Sequence, residues 1–370
     1  MRVLLCGGGT GGHIYPALAI ADELKRRYPQ IEILYVGTDK GLENKIVPKR
    51  GYTLKNIQAE GLPRKISPKM IKAGVSALKG MSEARKIIKD FKPDLVLGTG
   101  GYVCGPIVLS AHFLKVPTFI HEQNVLPGIT NKILSRFVDK VFVNLADSKN
   151  YFKDQEKIIV SGLPVREEVL HTTKEAGCEY FKLDCAKPIL LVSGGSRGAR
   201  SINRAMAAAY KRLLEESNVQ IIHSTGQVGY EETQRMLLDA GIDLVRYKDR
   251  VRLEPYLEQM EYALAAADVA VARAGATNLA EICACALPAI LIPYPFASEN
   301  HQEYNARSLA DNQAAVMILD KDLNGQKLAE SILEILNDDE LRRKMSLKSA
   351  EMAKRDSLNE IVGYLEKYLA

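Results

Sequence analysis

A glycine-rich turn between an apolar run and a helical pattern constrains this chain more than any other feature. Residues 3–6 (Val-Leu-Leu-Cys) predict a buried parallel strand, and residues 16–24 predict a helix. Between them lies Gly7-Gly-Gly-Thr-Gly-Gly-His13, with five glycines. Glycine lets a backbone approach an anion closely, and a helix N-terminus directs free N–H groups and a partial positive charge at it. The pattern therefore predicts a strand, a phosphate-binding turn and a helix.

The turn does not match two common phosphate-binding motifs. The P-loop requires a Lys-Ser/Thr pair after the last glycine, and none follows here. The usual dinucleotide fingerprint is also missed, because His13 stands just past the glycines. A tight connection without any ligand is the alternative interpretation of the turn considered alone.

The second half of the chain begins in the same way as the first. Residues 188–192 predict a strand, residues 193–199 a second glycine turn, and residues 201–214 a helix. This internal echo predicts two similar doubly wound α/β domains, which agrees with a length of 370 residues. Strands alternating with helices predict parallel sheets, with ligands at the carboxyl ends of the strands. The Gly/Pro-containing segment 161–166 suits an interdomain hinge.

The net charge of +5 is unevenly distributed. Residues 1–160 carry 25 Lys+Arg against 14 Asp+Glu, a balance of +11. Subtraction from the totals of 50 and 45 leaves 25 against 31, a balance of −6, for residues 161–370. The first half is therefore expected to meet an anionic surface.

The basic residues concentrate in residues 64–92, with nine Lys or Arg and two acidic residues. Apolar residues at 71, 75 and 78 share one helical face. One interpretation is a basic amphipathic surface that rests on anionic lipid; the other is an ordinary helix with solvated lysines. The stretch lacks interleaved aromatic side chains, which disfavours nucleic acid as its partner.

The cysteines and the termini bear on the compartment of the protein. No run of eighteen apolar residues occurs, so no membrane-spanning helix is expected. No signal peptide is expected either, because the first predicted strand begins at residue 3. The six cysteines are scattered without metal-ligand spacing, so we expect free thiols in a reduced cytoplasmic protein. The Asp320-Lys-Asp322 segment is interpreted as a loop and helix cap, and no metal site is predicted.

Polar residues that follow predicted strands form a second group of candidates. Asn124 ends a His-Glu-Gln-Asn segment, Glu281 lies two turns into a helix that opens at 274–278, and Gln302 precedes another helix. Amides and carboxylates at such positions suit a sugar or a ribose, and the three small-residue turns suit phosphates. Together they indicate a nucleotide-linked sugar, although solvated turn residues and an exposed glutamate are the alternatives.

Seven motifs, taken in order over nearly the whole chain, resemble the bacterial peptidoglycan N-acetylglucosaminyltransferases. The resemblance implies a GT-B fold, with two Rossmann-like domains facing an interdomain cleft. It places the acceptor and membrane-facing domain at residues 1–162, joined by a last helix at about 350–370, and the UDP-GlcNAc-binding domain at 163–349. The motifs are GGGTGGHIYPALAIADEL, GTGGYVCGP, HEQNVLPGITNKILS, GLPVR, SGGSRGARSIN, ARAGATNLAEI and HQEYNA.

The resemblance also implies a reaction. GlcNAc passes with inversion from UDP-GlcNAc to the 4-hydroxyl of MurNAc in undecaprenyl-diphosphate-MurNAc-pentapeptide (lipid I), giving lipid II for peptidoglycan synthesis. UDP-GlcNAc is a substrate, and no cofactor is implied. Because the acceptor is carried in a bilayer, the resemblance favours the membrane interpretation of residues 64–92. The protein is then expected at the cytoplasmic face of the cell membrane as a peripheral protein.

Site residues are implied by their match to the motifs of the family. The resemblance implies that the first glycine loop faces donor and acceptor, that an asparagine touches the donor sugar, and that a leucine backbone meets uracil. It likewise implies that a helix start cradles the diphosphate and ribose, with Glu281 on the ribose hydroxyls. The implied donor site comprises Thr10, Gly11, Gly12, Asn124, Arg166, Ser196, Leu257, Ala276, Thr277, Asn278, Leu279, Ala280, Glu281 and Gln302.

An inverting transfer needs a base for the acceptor hydroxyl and no enzyme nucleophile. His13 is the first candidate, because it begins a helix beside the glycine turn and imidazole exchanges protons near neutral pH. It could instead bind the diphosphate or orient the loop. His121 and Glu122 are the alternative bases.

Four other functions compete with this interpretation. A GT-B transferase for a different acceptor shares every donor-site feature, and a UDP-GlcNAc epimerase would need no lipid acceptor. A nucleotide-sugar binding protein would bind the donor without turnover. A nucleic-acid binder would use the basic half of the chain, which the lack of interleaved aromatic residues disfavours.

Overall fold

The computed structural model describes residues 1–59, 69–195 and 197–369, with residues 69–78 described by their backbone alone. The described chain divides into two compact units. Unit 1 comprises Met1–Pro164 and Lys354–Ala370, and unit 2 comprises Val165–Ala353.

Unit 1 contains, within its described residues, a parallel sheet of seven strands in the order β3-β2-β1-β4-β5-β6-β7. Helices alternate with these strands along the chain, as the sequence pattern predicts. The strands are β1 (Arg2–Cys6), β2 (Glu32–Thr38), β3 (Thr53–Ile57), β4 (Leu95–Gly98), β5 (Thr118–Glu122), β6 (Lys140–Val143) and β7 (Ile158–Val160). The first five helices are α1 (Gly11–Arg27), α2 (Glu43–Lys49), α3 (Lys69–Phe91), α4 (Cys104–Phe113) and α5 (Ile129–Leu134).

The central strand β1 explains why its sequence is a continuous apolar run. Successive side chains of a strand point to opposite faces of the sheet. Val3 and Leu5 therefore pack in the same cluster as Ile14 of α1, whereas Leu4 packs in the cluster of Ile107 from α4. Both faces of the strand are buried, which is typical of parallel sheets covered by helices.

Unit 2 repeats this architecture, with six described parallel strands in the order β10-β9-β8-β11-β12-β13. The prediction of two doubly wound α/β units is thus confirmed. The strands are β8 (Ile189–Ser193), β9 (Gln220–Ser224), β10 (Val251–Glu254), β11 (Val269–Ala272), β12 (Ala289–Leu291) and β13 (Ala315–Met317). The helices are α6 (Glu167–His171), α7 (Lys174–Phe181), α8 (Arg200–Glu216), α9 (Tyr230–Asp239), α10 (Met260–Ala266), α11 (Ala276–Ala284), α12 (His301–Asp311), α13 (Gly325–Asn337) and α14 (Asp339–Met352).

The last helix, α15 (Ser357–Leu365), packs within unit 1. Ile361 and Leu365 are buried in the cluster that contains Val3 and Ile14. Beyond the helix, the ring of Tyr368 lies 5.0 Å from that of Phe119 in an edge-on arrangement. Burial of these apolar groups anchors the C-terminal segment to the first sheet.

The expectation of six free thiols is wrong at two positions. Cys178 and Cys185 form a disulfide, with Cα atoms 5.8 Å apart. Helix α7 ends just before Lys182, whose left-handed backbone (φ 51°) turns the chain back toward the helix. That reversal, which the sequence spacing alone does not reveal, brings the two cysteines together. The other four cysteines lie outside this disulfide as thiols, and three of them are buried.

The structure bears on two expectations about membranes, one on spanning helices and one on the basic stretch 64–92. Among the described residues, no helix combines the length and the apolar character that crossing a bilayer demands. The basic stretch 64–92 falls partly outside the described residues, because 64–68 are not described and only the backbone of 69–78 is. In the part of the stretch whose side chains are described, 79–92, five basic side chains are exposed: Lys79, Arg85, Lys86, Lys89 and Lys92.

Candidate active site

The first glycine turn connects β1 to α1 in unit 1, as predicted. Gly9 has φ +85°, a left-handed conformation that glycine adopts at little cost. Thr10 is the N-cap of α1 but makes no side-chain capping bond. The first N–H groups of a helix lack partners inside it, so those of Gly11 and Gly12 are suited to an anion. Thr10 and Gly12 are exposed, which leaves this helix start open to a ligand.

A second glycine turn, between β4 and α4, packs against the first. The Gly8 N–H donates to the Gly100 carbonyl at 3.2 Å. A Cβ at Gly101 would lie 2.6 Å from the Gly8 carbonyl oxygen, so a side chain there would separate the two turns. Close backbone contact explains why glycines recur in both motifs.

His13 has a defined tautomer. Its Nδ1 lies 2.9 Å from the Gly8 carbonyl oxygen, and because a carbonyl accepts, Nδ1 carries the proton. In the neutral imidazole Nε2 then holds the lone pair. The ring lies against Gly100, where a Cβ would be 2.9 Å from Nε2. His13 is half-buried, and the arrangement provides a proton acceptor beside the first glycine turn.

His121 is placed differently from His13. It is fully buried, its Nε2 donates to the Gly162 carbonyl at 2.8 Å, and its Nδ1 accepts from the Gln123 amide at 3.2 Å. Burial lowers the pKa of His121 to about 4, despite the opposing effect of the bond to Gly162. Both ring nitrogens of this neutral histidine are thus used within unit 1.

Glu122 is also buried and organises the loop that follows β5. Its carboxylate accepts from the N–H groups of Asn124 (3.0 Å) and Gly128 (3.2 Å) and from the Asn131 amide (2.9 Å). Burial raises the pKa of Glu122, whereas these bonds and the charge of His13 oppose that rise. Glu122 therefore holds the backbone of Asn124, which is half-buried.

In unit 2, the glycine turn after β8 packs against the turn after β9. A Cβ at Gly198 would lie 2.0 Å from the Thr225 carbonyl oxygen, and one at Gly226 would lie 2.5 Å from the Arg197 carbonyl oxygen. Ala199, the N-cap of α8, makes no side-chain capping bond. The start of α8 is therefore a second helix terminus suited to an anion. Ser196, which the motif match implies in donor binding, lies outside the described residues.

Helix α11 contains the predicted diphosphate and ribose segment. Its N-cap, Gly275, makes no side-chain capping bond, and Thr277 in the first turn is exposed. The Asn278 amide donates to the Arg273 carbonyl at 3.0 Å. Ala276 and Ala280 are half-buried, and Leu279 packs in the interior. The helix thus begins with uncapped backbone, as an anion-binding terminus requires.

Glu281 and Arg166, both implied in donor binding, lie side by side. The Arg166 Nε donates to Glu281 Oε1 at 2.8 Å, and its Nη1 lies 3.4 Å from Glu261 Oε2. Burial alone would lower the pKa of Arg166, but Glu281 and Glu261 raise it above its ordinary value. The carboxylate of Glu281, at 7% exposure, is therefore oriented by a guanidinium that remains half-exposed.

Leu257 and Gln302 complete the predicted residues of unit 2. Leu257 is buried, and Gln302 lies half-buried in the first turn of α12. The Gln302 Oε1 accepts the Tyr294 N–H at 2.9 Å, so its amide nitrogen is the group available to donate to a hydroxyl. Before this helix, Glu299 and Asn300 both have positive φ, at 53° and 56°. The turn that positions Gln302 is therefore strained.

Arg273 is a residue whose role sequence reasoning missed. Its guanidinium donates to the carbonyls of Ile292 and Pro293, both at 3.1 Å, to Asp320 Oδ1 at 2.6 Å and to Ser201 Oγ at 2.8 Å. It thereby joins the ends of β11 and β12 to the start of α8. The predicted loop at Asp320 is a short 3₁₀ turn whose carboxylate pairs with Arg273.

Glu43 is a second missed residue. It is fully buried and accepts the Gly9 N–H at 3.1 Å, so a carboxylate lies directly behind the first glycine turn. The available sequence signal was Gly37 and Gly41, which flank the carboxylate in space. In the described part of the chain, no group of three or more His, Cys, Asp or Glu side chains is arranged to hold a metal ion.

The predicted residues divide between the two units. Unit 1 holds Thr10, Gly11, Gly12, His13, His121, Glu122 and Asn124, whereas unit 2 holds Arg166, Leu257, the 276–281 segment and Gln302. In unit 1 these residues follow β1 or lie at the end of β5 and just beyond it. In unit 2, Leu257, the 276–281 segment and Gln302 come after β10, β11 and β12, at the strand ends where α/β sheets bind ligands.

Comparison with known proteins identifies the family. Residues 3–143 match the glycosyltransferase family 28 N-terminal domain, and residues 189–361 match the glycosyltransferase family 28 C-terminal domain. A relative from Desulforamulus reducens, named UDP-N-acetylglucosamine--N-acetylmuramyl-(pentapeptide) pyrophosphoryl-undecaprenol N-acetylglucosamine transferase, is 50% identical over 369 residues. The alignment covers 100% of this chain and 99% of the relative.

Solved structures agree with this assignment. The crystal structure of Acinetobacter baumannii MurG matches with a TM-score of 0.81 at 28% identity, covering 99% of each chain. The UDP-GlcNAc 2-epimerase from Neisseria meningitidis, bound to UDP-GlcNAc, matches with a TM-score of 0.68 over 99% of this chain and 100% of that one. At 15% identity the second likeness shows a shared fold and no more. The chain therefore belongs to glycosyltransferase family 28 and, within it, to the UDP-N-acetylglucosamine--N-acetylmuramyl-(pentapeptide) pyrophosphoryl-undecaprenol N-acetylglucosamine transferases.

Proposed function

We propose that this chain transfers GlcNAc from UDP-GlcNAc to the 4-hydroxyl of MurNAc in undecaprenyl-diphosphate-MurNAc-pentapeptide, with inversion, giving lipid II for peptidoglycan synthesis. Full-length identity of 50% to a transferase of that name supports the substrates. The observation that carries the chemistry is the Nδ1–H bond of His13 to the Gly8 carbonyl, because it leaves Nε2 as a proton acceptor.

In the proposed step, the acceptor hydroxyl oxygen forms a bond to C1 of GlcNAc as the bond from C1 to the diphosphate oxygen breaks. The hydroxyl proton passes to His13 Nε2, and UDP leaves with the bonding electron pair. His13 is preferred to His121 and Glu122, since the latter two use their polar atoms in internal bonds. A single displacement of this kind inverts the configuration at C1 and needs no enzyme nucleophile.

The proposal assigns donor-binding roles to the residues that the motif match implies. The starts of α8 and α11 stabilise the diphosphate through free N–H groups and helix dipoles, with Ala276, Thr277 and Asn278 in the first turn of α11. Glu281, oriented by Arg166, accepts the ribose hydroxyls, and the Leu257 backbone meets uracil. Gln302 and Asn124 contact the sugar. UDP-GlcNAc enters as a substrate, and the proposal includes no cofactor.

The test is release of UDP from UDP-GlcNAc, measured with and without a short-chain lipid I analogue while the disaccharide product is followed. We expect UDP release that depends on the analogue and equals the disaccharide formed. Release of UDP and a free sugar without the analogue would instead indicate an epimerase. Donor binding without release in either reaction would reject catalysis, and release only with another acceptor would reject lipid I.

The membrane-facing role of unit 1 is part of the same proposal. The exposed Lys86 and Lys89 of α3, with the excess of basic residues in residues 1–160, support docking on the anionic cytoplasmic leaflet as a peripheral protein. In co-sedimentation with phosphatidylglycerol vesicles, a Lys86→Glu/Lys89→Glu variant should bind at least about 10-fold more weakly, at ~1 kcal/mol per basic residue near the surface. A Lys211→Glu/Lys344→Glu variant on unit 2 is the matched control. Vesicle binding that depends neither on the anionic lipid content nor on the salt concentration would contradict docking on an anionic leaflet.

A further inference from the structure

Glu43 is a buried carboxylate that the proposed reaction does not use. It is the first residue of α2 and has 0% exposure. Three glycines make room for it: a Cβ would lie 2.6 Å from its Oε1 at Gly8, 2.5 Å from its Cγ at Gly37 and 2.0 Å from its Oε2 at Gly41. Carboxylates are rarely buried completely, so a cavity shaped around one indicates a specific role.

The carboxylate connects two loops of unit 1. Glu43 Oε1 accepts both the N–H and the hydroxyl of Thr38, each at 2.9 Å. Its Oε2 accepts the Gly9 N–H at 3.1 Å. Two hydrogen bonds hold the carboxylate at Thr38, the last residue of β2, and the third joins it to Gly9 in the first glycine turn.

The Gly9 N–H belongs to the same peptide group as the Gly8 carbonyl. A peptide group is planar, so holding its N–H also sets the direction of its C=O. That carbonyl accepts the His13 Nδ1–H at 2.9 Å. A continuous series of hydrogen bonds therefore runs from Glu43 Oε2 through the Gly8–Gly9 peptide to the His13 imidazole. Hydrogen bonds in such a series polarise one another, and a negative charge at one end favours a positive charge at the other.

We propose that Glu43 is a positioning residue for His13, acting through the Gly8–Gly9 peptide as the carboxylate of a catalytic triad acts directly on its histidine. It fixes the Nδ1–H tautomer, directs Nε2 away from the turn and stabilises the imidazolium that forms when the acceptor proton is taken up. The inference rests on the proposed base role of His13 for its catalytic consequence. The tautomer of His13 depends on Glu43 whether or not His13 is the base.

Other titratable groups also face this series. The Glu122 carboxylate interacts electrostatically with His13. The Tyr35 hydroxyl donates to the Gly7 carbonyl at 2.9 Å, and burial raises its pKa well above the ordinary value, so it stays neutral. Burial likewise keeps the nearby Cys6 thiol neutral by raising its pKa. Glu122 is therefore the neighbouring carboxyl group to retain when Glu43 is changed.

The test combines Glu43→Gln with NMR of histidine-labelled protein, which reports the nitrogen that carries the His13 proton. Glutamine keeps the shape but removes the charge and one acceptor oxygen, so His13 should lose its preference for the Nδ1–H tautomer. Turnover should fall about 10- to 100-fold, part of the ~10²–10⁴-fold that a positioned base supplies.

Two further variants make the result decisive. Gly41→Ala keeps the charge of Glu43 but places a Cβ where its Oε2 lies, so it should disturb the tautomer in the same way. Glu23→Gln removes another buried carboxylate of unit 1, one that pairs with Arg26 and Arg27, and should leave the tautomer unchanged. A folded Glu43→Gln protein with an unaltered tautomer overturns the inference, whereas an active His13→Ala protein overturns the base role alone.

Discussion

Replacing His13 with alanine is expected to lower kcat by about 10²- to 10⁴-fold, the usual contribution of a positioned general base. The KM for UDP-GlcNAc should change little, because the base acts on the acceptor hydroxyl in the transition state and not on the bound donor. The structure supports this expectation through the tautomer that the Gly8 carbonyl selects. Steady-state kinetics with a soluble lipid I analogue, together with calorimetric binding of UDP, measures both quantities.

The control for this substitution is His171→Ala, since His171 is an exposed histidine of unit 2 that pairs with Glu167 on the surface. It should leave kcat and KM unchanged. If His13→Ala instead raised the KM for the donor as much as it lowered kcat, His13 would be a diphosphate ligand and the base would have to be sought elsewhere.

The second large effect is expected at Glu281. A Glu281→Gln variant should weaken UDP binding about 10- to 100-fold, because a hydrogen bond to a charged group contributes ~1.5–3 kcal/mol. The substitution also removes the partner that holds the Arg166 Nε at 2.8 Å. Calorimetry with UDP, compared with uracil alone, measures the contribution of the ribose and diphosphate.

Glu261 offers the matched control, because it is the second and more distant carboxylate partner of Arg166. Glu261→Gln alters the surroundings of the guanidinium at 3.4 Å without touching the proposed ribose ligand. We expect it to change UDP affinity by less than about threefold, as for a partly exposed ion pair. Equal losses in the Glu261 and Glu281 variants would mean that the orientation of Arg166, and not a contact with ribose, controls affinity.

Local patterns explain why much of the fold was predictable. The apolar runs of β1 and β8, each followed by glycines and a helical pattern, predicted two doubly wound units, and the structure confirms them. A strand buried on both faces needs consecutive apolar residues, and a turn that contacts another backbone needs glycine. The family resemblance is confirmed as well, since relatives match over the full length of the chain.

Pairings between distant residues were not predictable in this way. Arg166 meets Glu281 across 115 positions, and Arg273 gathers groups from three separate elements. Even the disulfide between Cys178 and Cys185, which are only seven positions apart, depends on the left-handed turn at Lys182. Such contacts depend on how elements pack, which composition and periodicity do not encode.

The sequence by itself determined that this protein has two parallel α/β units, where their glycine turns lie and which family its motifs match. Only the tertiary structure decided which candidate base keeps a proton-accepting atom outside the hydrogen bonds of the described residues. His13 follows β1, whereas His121 and Glu122 are the last two residues of β5. The fold gives the His13 ring a carbonyl partner at Nδ1 and surrounds the other two residues with internal partners. The buried carboxylate of Glu43 behind the turn was likewise a tertiary result. The direction of a hydrogen bond depends on which acceptor the packed chain brings within about 3 Å, and residue type alone cannot specify that.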